Sequence, residues 1–261
     1  MTGLAAKLML KPGRKCHLAE FDPDDTHGFE KAEAEKRLER IRAELEELQT
    51  VLYAESRRAV LIVLQGLDAS GKDGTIRHVM TGLNPQGVTV TSFKVPEGAE
   101  RRHDYLWRVH NAAPEWGKIA IFNRSHYEDV LVVRVHNLVP ETVWAKRYEQ
   151  INDFEKMLSG NNVRILKFLL WIGKDEQGKR LAARLEDPAK SWKFSADDTK
   201  ERSYWDDYVV AYEAVLRKCS TKFAPWYVIP ANRKWFRNLA VAEILHGELK
   251  AMKLRYPKAA G

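Results

Sequence analysis

Residues 60–75, VLIVLQGLDASGKDGT, constrain the fold of this chain more than any other stretch. The run 60–64 is unbroken and apolar, the pattern of a parallel strand covered on both faces, where polar alternation is lost. A turn follows at once, from Gly66 through Asp68 to Gly71 and Lys72, and then Thr75, Ile76, Val79 and Met80 recur at helical spacing. Strand, G-x-x-x-x-G-K and helix in that order is the context of a phosphate-binding loop. Glycines let the backbone curl so that several N–H groups point at one anion. The helix N-terminus adds partial positive charge, and Lys72 adds a full one. The candidate cradle is Gly66, Ala69, Ser70, Gly71, Asp73, Gly74 and Thr75. Two residues depart from the ordinary loop. Asp73 stands where a hydroxyl normally helps hold Mg²⁺, and Asp68 sets a carboxylate beside phosphates that repel it, which makes sense if a cation lies between them.

A length of 261 residues fits one α/β domain with insertions, and 44% hydrophobic residues suffice for a full core. No apolar run approaches a membrane span, and the N-terminal apolar stretch is too short and too basic for a signal peptide. Two cysteines far apart, Cys16 and Cys219, predict reduced thiols and a cytoplasmic protein. The net charge of +7 suits a polyanionic partner without choosing among nucleic acid, nucleotide and inorganic polyphosphate.

Along the chain, residues 1–30 read as irregular, and 31–54 as an amphipathic helix with Leu38, Ile41, Leu45, Leu48 and Leu52 on one stripe. Oligomerisation and packing within the domain account for that stripe equally well. Strands are predicted at 88–93, 118–122, 163–171 and 226–229, and helices at 99–111, 140–158, 175–185 and 235–254. The strand at 88–93 ends at Lys94, a candidate phosphate contact because strand carboxyl ends face the ligand crevice of open α/β sheets. The strand at 118–122 leads into Asn123, Arg124, Ser125, His126, Tyr127, Glu128 and Asp129. Its end carries neutral Asn123 where many phosphate-loop proteins keep a Mg²⁺-orienting aspartate, with Glu128 and Asp129 close behind. His126 reads as a hydrogen-bonded structural histidine rather than a base, since phosphate acceptors need little help losing a proton. A helical hairpin over 174–212 sits where kinases carry a lid that excludes water. Arg180 and Arg184 share a helix face there. Residues 174–202 hold eight Lys or Arg against seven Asp or Glu, so any anion site must come from facing rather than bulk charge.

Five motifs in order, GLDASGKDGT at 66–75, FNRSHYEDV at 122–130, RLEDPAKSWKFSADD at 184–198, ERSYWDDY at 201–208 and APWYVIPANRK at 224–234, make the chain resemble the second family of polyphosphate kinases. The resemblance implies a single phosphate-loop kinase domain of the thymidylate kinase type: a five-stranded parallel sheet sandwiched by helices, with a helical lid and an N-terminal extension over 1–55. It implies transfer of phosphate between polyphosphate and nucleotides with Mg²⁺. Asp68 would hold metal and phosphate, Lys72 the moving phosphoryl group and Arg124 the acceptor's phosphates. Lys94 and Arg108 would lie on the nucleotide side. Arg180, Arg184, Lys193 and Arg202 would serve the lid and polyphosphate. Many members carry Asp-Arg-Ser-Trp-Tyr-Asn in the third-strand motif. Asn123, His126 and Glu128 here resemble class III, whose members accept nucleoside mono- and diphosphates. With Asn123 neutral, the metal set becomes Asp68 plus Glu128 or Asp129. Adenine nucleotides are the expected acceptors, with guanine nucleotides open, and a dimer or tetramer is the family's habit.

The rival enzyme is an ATP-dependent nucleoside monophosphate kinase, which shares loop and lid but takes a second nucleotide as donor. Restriction to diphosphate acceptors is the other variant. A nucleic-acid-binding protein would need salt-sensitive affinity indifferent to Lys72, and a non-catalytic nucleotide sensor would have little use for both Lys72 and Arg124. No nucleic acid and no membrane are expected as partners.

Overall fold

The apolar runs form five parallel strands: β1 (Ala59–Gln65), β2 (Val88–Ser92), β3 (Ile119–Asn123), β4 (Val163–Trp171) and β5 (Trp226–Pro230). The structure is a computed structural model and describes residues 3–188 and 196–258. The sheet order is β2-β3-β1-β4-β5. Central β1 is buried at every position, as its unbroken apolar run requires, whereas edge strand β2 is half exposed. Five strands, their type and their positions agree with the sequence reading to within a residue or so at each end.

Helices cover the sheet. α1 (Gly3–Leu8), α2 (Lys31–Glu55), α3 (Lys72–Val79) and α10 (Lys234–Ala251) pack as one group, and α5 (Val132–Val135), α6 (Glu141–Gly160) and α9 (Trp205–Cys219) as another. Short α4 (Trp107–Asn111) follows β2, and α7 (Lys174–Glu186) and α8 (Ala196–Ser203) follow β4. The apolar stripe of α2, with Leu38, Ile41, Leu45 and Leu52 buried, lies against α10. Arg37 pairs with Glu243, and His246 and Lys250 reach Glu44 at 2.7 and 3.1 Å. The stripe is therefore used inside the chain.

Three expectations need correction. Residues 1–30 are not all irregular: α1 buries Leu4, Ala5 and Leu8, and the next residues dock on β5 through a Met9–Tyr227 bridge and a bond from the Leu10 amide to the Trp226 carbonyl, 2.8 Å. Alanine-rich spacing over so short a stretch carries little periodicity. The helix expected at 99–111 is a 3₁₀ turn (Gly98–Arg102) and then α4. Between them the Asp104 carboxylate accepts from the Leu106 amide at 2.9 Å, the local competition by which aspartate interrupts helices. The helix following residue 196 breaks at Tyr204, and its second part, α9, buries Trp205, Tyr208, Ala211 and Tyr212 in the core. That leaves α7 and α8 as the remainder of the expected hairpin.

Candidate active site

The end of β1 turns sharply because Gly66 (φ 153°) has no room for a side chain: a Cβ there would meet Ser70 Oγ at 2.7 Å and the Leu170 carbonyl at 2.8 Å. The loop then runs to Gly71, in the left-handed region at φ 100°, and α3 begins at Lys72. In this geometry Lys72 Nζ donates to the Gly66 carbonyl at 2.6 Å. Burial and then the neighbouring Arg124 charge lower the Lys72 pKa, against the pull of Asp68, Glu128 and Asp73.

β3 lies beside β1 with Asn123 opposite Leu64, and the Arg124 amide donates to the Leu64 carbonyl at 3.1 Å. That register carries Arg124 to the loop. Its Nη2 donates to Asp68 Oδ1 at 3.0 Å, and its Nη1 lies 3.9 Å from Glu128. Burial disfavours the Arg124 charge, but the carboxylates of Glu128 and Asp68 outweigh it and keep the guanidinium firmly charged. Burial raises the pKa of Glu128, opposed by Arg124, Lys72 and a hydrogen bond from Gln65. Asn123 donates to Asp73 Oδ1 at 2.8 Å, tying the third-strand motif to the first turn of α3. Asp68, Lys72, Asp73, Asn123, Arg124 and Glu128, dispersed over sixty residues, thus meet at the carboxyl ends of β1 and β3.

Other expected residues take different places. Asp129 turns from the loop to Arg147, which donates to its Oδ1 at 3.0 Å, and burial pushes its pKa up to about 6. Arg108 braces the segment after β2, donating to the Lys94 carbonyl at 2.7 Å and lying 3.2 Å from Glu100, while Lys94 itself is exposed. Arg180 spends its guanidinium on carbonyls of Ala69, Ala231 and Asn232 at 2.7–3.1 Å, clamping the loop to the end of β5. Arg202 donates to Lys174 O and Gln177 Oε1, joining α8 to α7. Arg184 is half-buried on α7, one turn beyond Arg180. Lys193 lies outside the described residues.

His126 is the structural histidine expected: fully buried, with Nε2 3.2 Å from Glu155. Sequence reasoning missed several groups. Gln65 ends the apolar β1 and donates to Ser125 Oγ at 3.0 Å. Its polarity in that run is a legible signal. Buried Gln177 donates to the Asp68 carbonyl at 3.2 Å. Tyr212 of α9 is buried against the Gly66 backbone and feels Glu128, Arg124 and Asp68. Arg237 of α10 reaches the Ser70 carbonyl at 3.1 Å, and nothing in its helical context announces it. A cleft of about 660 Å³ opens between the segment after β2 and α6, lined by Pro96, His103, Tyr105, Val143, Lys146 and Arg147.

A parallel sheet in this order, a glycine-cornered phosphate loop and an Arg–carboxylate cluster at its mouth define a phosphate-loop kinase fold. The sequence model described as Polyphosphate kinase 2 matches residues 28–257. The AMP/ADP-polyphosphate phosphotransferase of Meiothermus ruber is 53% identical over 97% of this chain and 95% of its own length. The ADP-polyphosphate phosphotransferase of Rhodopseudomonas palustris is 44% identical over 94% and 90%. The crystal structure of polyphosphate kinase 2 from Arthrobacter aurescens superposes with a TM-score of 0.95 at 43% identity, covering 100% of this chain and 93% of that one. The chain belongs to the polyphosphate kinase 2 family.

Proposed function

We propose that this chain transfers the terminal phosphoryl group of inorganic polyphosphate to AMP and then to ADP. The observation that carries the reading is the convergence of Lys72 and Arg124 with Asp68 and Glu128 at the mouth of the loop. Similarity over nearly full length to a phosphotransferase named for both AMP and ADP supports the choice of acceptors. The acceptor oxygen already carries charge, so catalysis is positioning and neutralisation rather than deprotonation. Lys72 has only to exchange the Gly66 carbonyl for a phosphate oxygen. Arg124, held in place by Asp68, faces the acceptor's phosphates. The nucleoside takes the cleft beside Tyr105 and Arg147. α7 and α8 form the lid, with Arg184 facing the polyphosphate and Arg180 holding the loop.

Among the described residues no cluster of three or more metal-ligating side chains occurs. Mg²⁺ does not need one, because it is commonly held by one or two carboxylates together with substrate phosphates. Asp68 and Glu128 supply the hard oxygen donors in the right place, whereas Asp129 is engaged by Arg147. When bound, the ion would offset charge shared by donor and acceptor phosphates.

The test is nucleotide analysis after incubating the protein with Mg²⁺, polyphosphate and AMP. ADP followed by ATP is expected. Product from ADP alone would restrict the acceptors, and ADP formed only when ATP replaces polyphosphate would establish the rival kinase. Lys72→Ala and Asp68→Ala should each cut kcat by about 10²–10³-fold, the usual loss of one charge-stabilising group, with an unchanged melting temperature. Near-native turnover in either variant would break the assignment.

A further inference from the structure

Arg237, in the first turn of α10, is only 2% exposed. Its Nη1 donates to the Ser70 carbonyl at 3.1 Å, and its Nη2 and Nε donate to Asn238 Oδ1 at 2.9 and 3.3 Å. Both partners are neutral. Among the described residues no carboxylate comes within ion-pair distance of it, and the nearby charge is of like sign: Arg180, which reaches the carbonyls of Ala69 and Ser70. Burial and that like charge bring the Arg237 pKa down to about 10. Buried charges are ordinarily paired, since an unpaired one costs free energy. The fold nonetheless makes room for this one. A Cβ at Gly71 would collide with the guanidinium, and one at Gly74 would lie 3.2 Å from Nη2. The motif glycine at 71 therefore serves Arg237 as well as the turn.

We propose that Arg237 is an electrostatic positioning residue whose missing counter-ion is the bound polyphosphate: its charge, unneutralised in the free protein, acts through the loop backbone on the anion, and its bond to Ser70 fixes the loop carbonyl that the phosphates must avoid. The inference rests on the reading of this loop as the polyphosphate site. Arg237 touches no substrate in this scheme. It biases the loop toward the anion at a cost to the free protein that binding relieves.

Asn238→Asp tests this with Arg237 left in place, because it supplies the counter-charge internally on the side chain that already accepts from Nη2. Calorimetric titration with tripolyphosphate and thermal unfolding without ligand are the measurements. The variant should melt higher than wild type when free and bind tripolyphosphate about tenfold more weakly, the scale of one charge pair at the effective dielectric of a protein interior. Arg237→Gln should weaken binding similarly, and Arg237→Lys should largely retain it. A stabilised Asn238→Asp variant with wild-type affinity would show that Arg237 only packs the loop, and so overturn the inference alone. Wild-type protein that fails to bind tripolyphosphate would overturn the polyphosphate reading of the loop together with the inference.

Discussion

Lys72 carries a titration that a solvated lysine would not. Burial and the Arg124 charge lower its pKa in the free protein, so its positive charge is lost at a pH below the ordinary lysine value. A bound polyanion favours the charged form and moves the titration back up. The sign of the pH dependence follows. kcat/KM for polyphosphate, which reports the free enzyme, should fall on its alkaline limb at lower pH than kcat, which reports the complex. Pre-steady-state or initial-rate profiles at saturating and limiting polyphosphate check this, and coincident alkaline limbs would remove Lys72 from the role. Asp68 has a comparable double duty. It accepts from Arg124 at 3.0 Å, and in the proposed function its remaining oxygen lone pairs would serve the cation.

Between elements, a buried polar network anchors the third-strand motif. Lys167, facing inward from β4, donates to Glu155 of α6 at 2.5 Å, to the Tyr127 hydroxyl at 2.9 Å and to the Cys219 carbonyl of α9 at 2.7 Å. Tyr127 and His126 both reach Glu155. Burial opposes ionisation of Glu155, yet Lys167 and His126 outweigh it and hold its pKa below the ordinary value. Lys167 and Glu155 have no solvent exposure at all, so breaking the pair leaves an uncompensated charge. Lys167→Met should destabilise by about 3–5 kcal/mol, whereas Lys167→Met with Glu155→Gln should recover much of that loss, because no uncompensated buried charge remains. Chemical denaturation of the single and double variants measures both. The network explains how Arg124, in the left-handed region at φ 61°, and Glu128 stay presented to the loop: the turn between them is held from behind.

The whole molecule carries +7, and the proposed substrates are polyanions. Attraction between exposed charges is screened over about 10 Å at 0.1 M salt, whereas Lys72 and Arg124, in the proposed role, would act at close range from a largely buried site. Added KCl should therefore raise KM for polyphosphate and leave kcat nearly unchanged. A salt series of initial rates tests this, and a kcat that falls in parallel would place the salt effect on the chemical site. The N-terminal segment belongs to the same body. Leu4, Leu8 and Leu10 are buried, and no helix among the described residues is long and apolar enough to cross a membrane.

Amino-acid order alone determined the five strands, the phosphate loop, most of the helices and the chemistry expected of Lys72, Asp68 and Arg124. These are local patterns: unbroken apolar runs, glycines at a corner and a cation at a helix start. The family resemblance was legible in the motifs for the same reason. Only the tertiary structure decided which charges face the loop. Glu128 and Asp129 are adjacent in sequence, yet one turns to Arg124 and the other to Arg147, because the 3₁₀ turn from His126 points consecutive side chains in different directions. Arg180 looks like a ligand for phosphate in a helical wheel and becomes a clamp on backbone carbonyls of the loop and of the end of β5. Arg237 is invisible in a helix that already reads as core, and acquires its role from a loop 167 residues away. Periodicity assigns a residue to a face, but the partner across that face is set by sheet order and helix packing, which no short window of sequence contains.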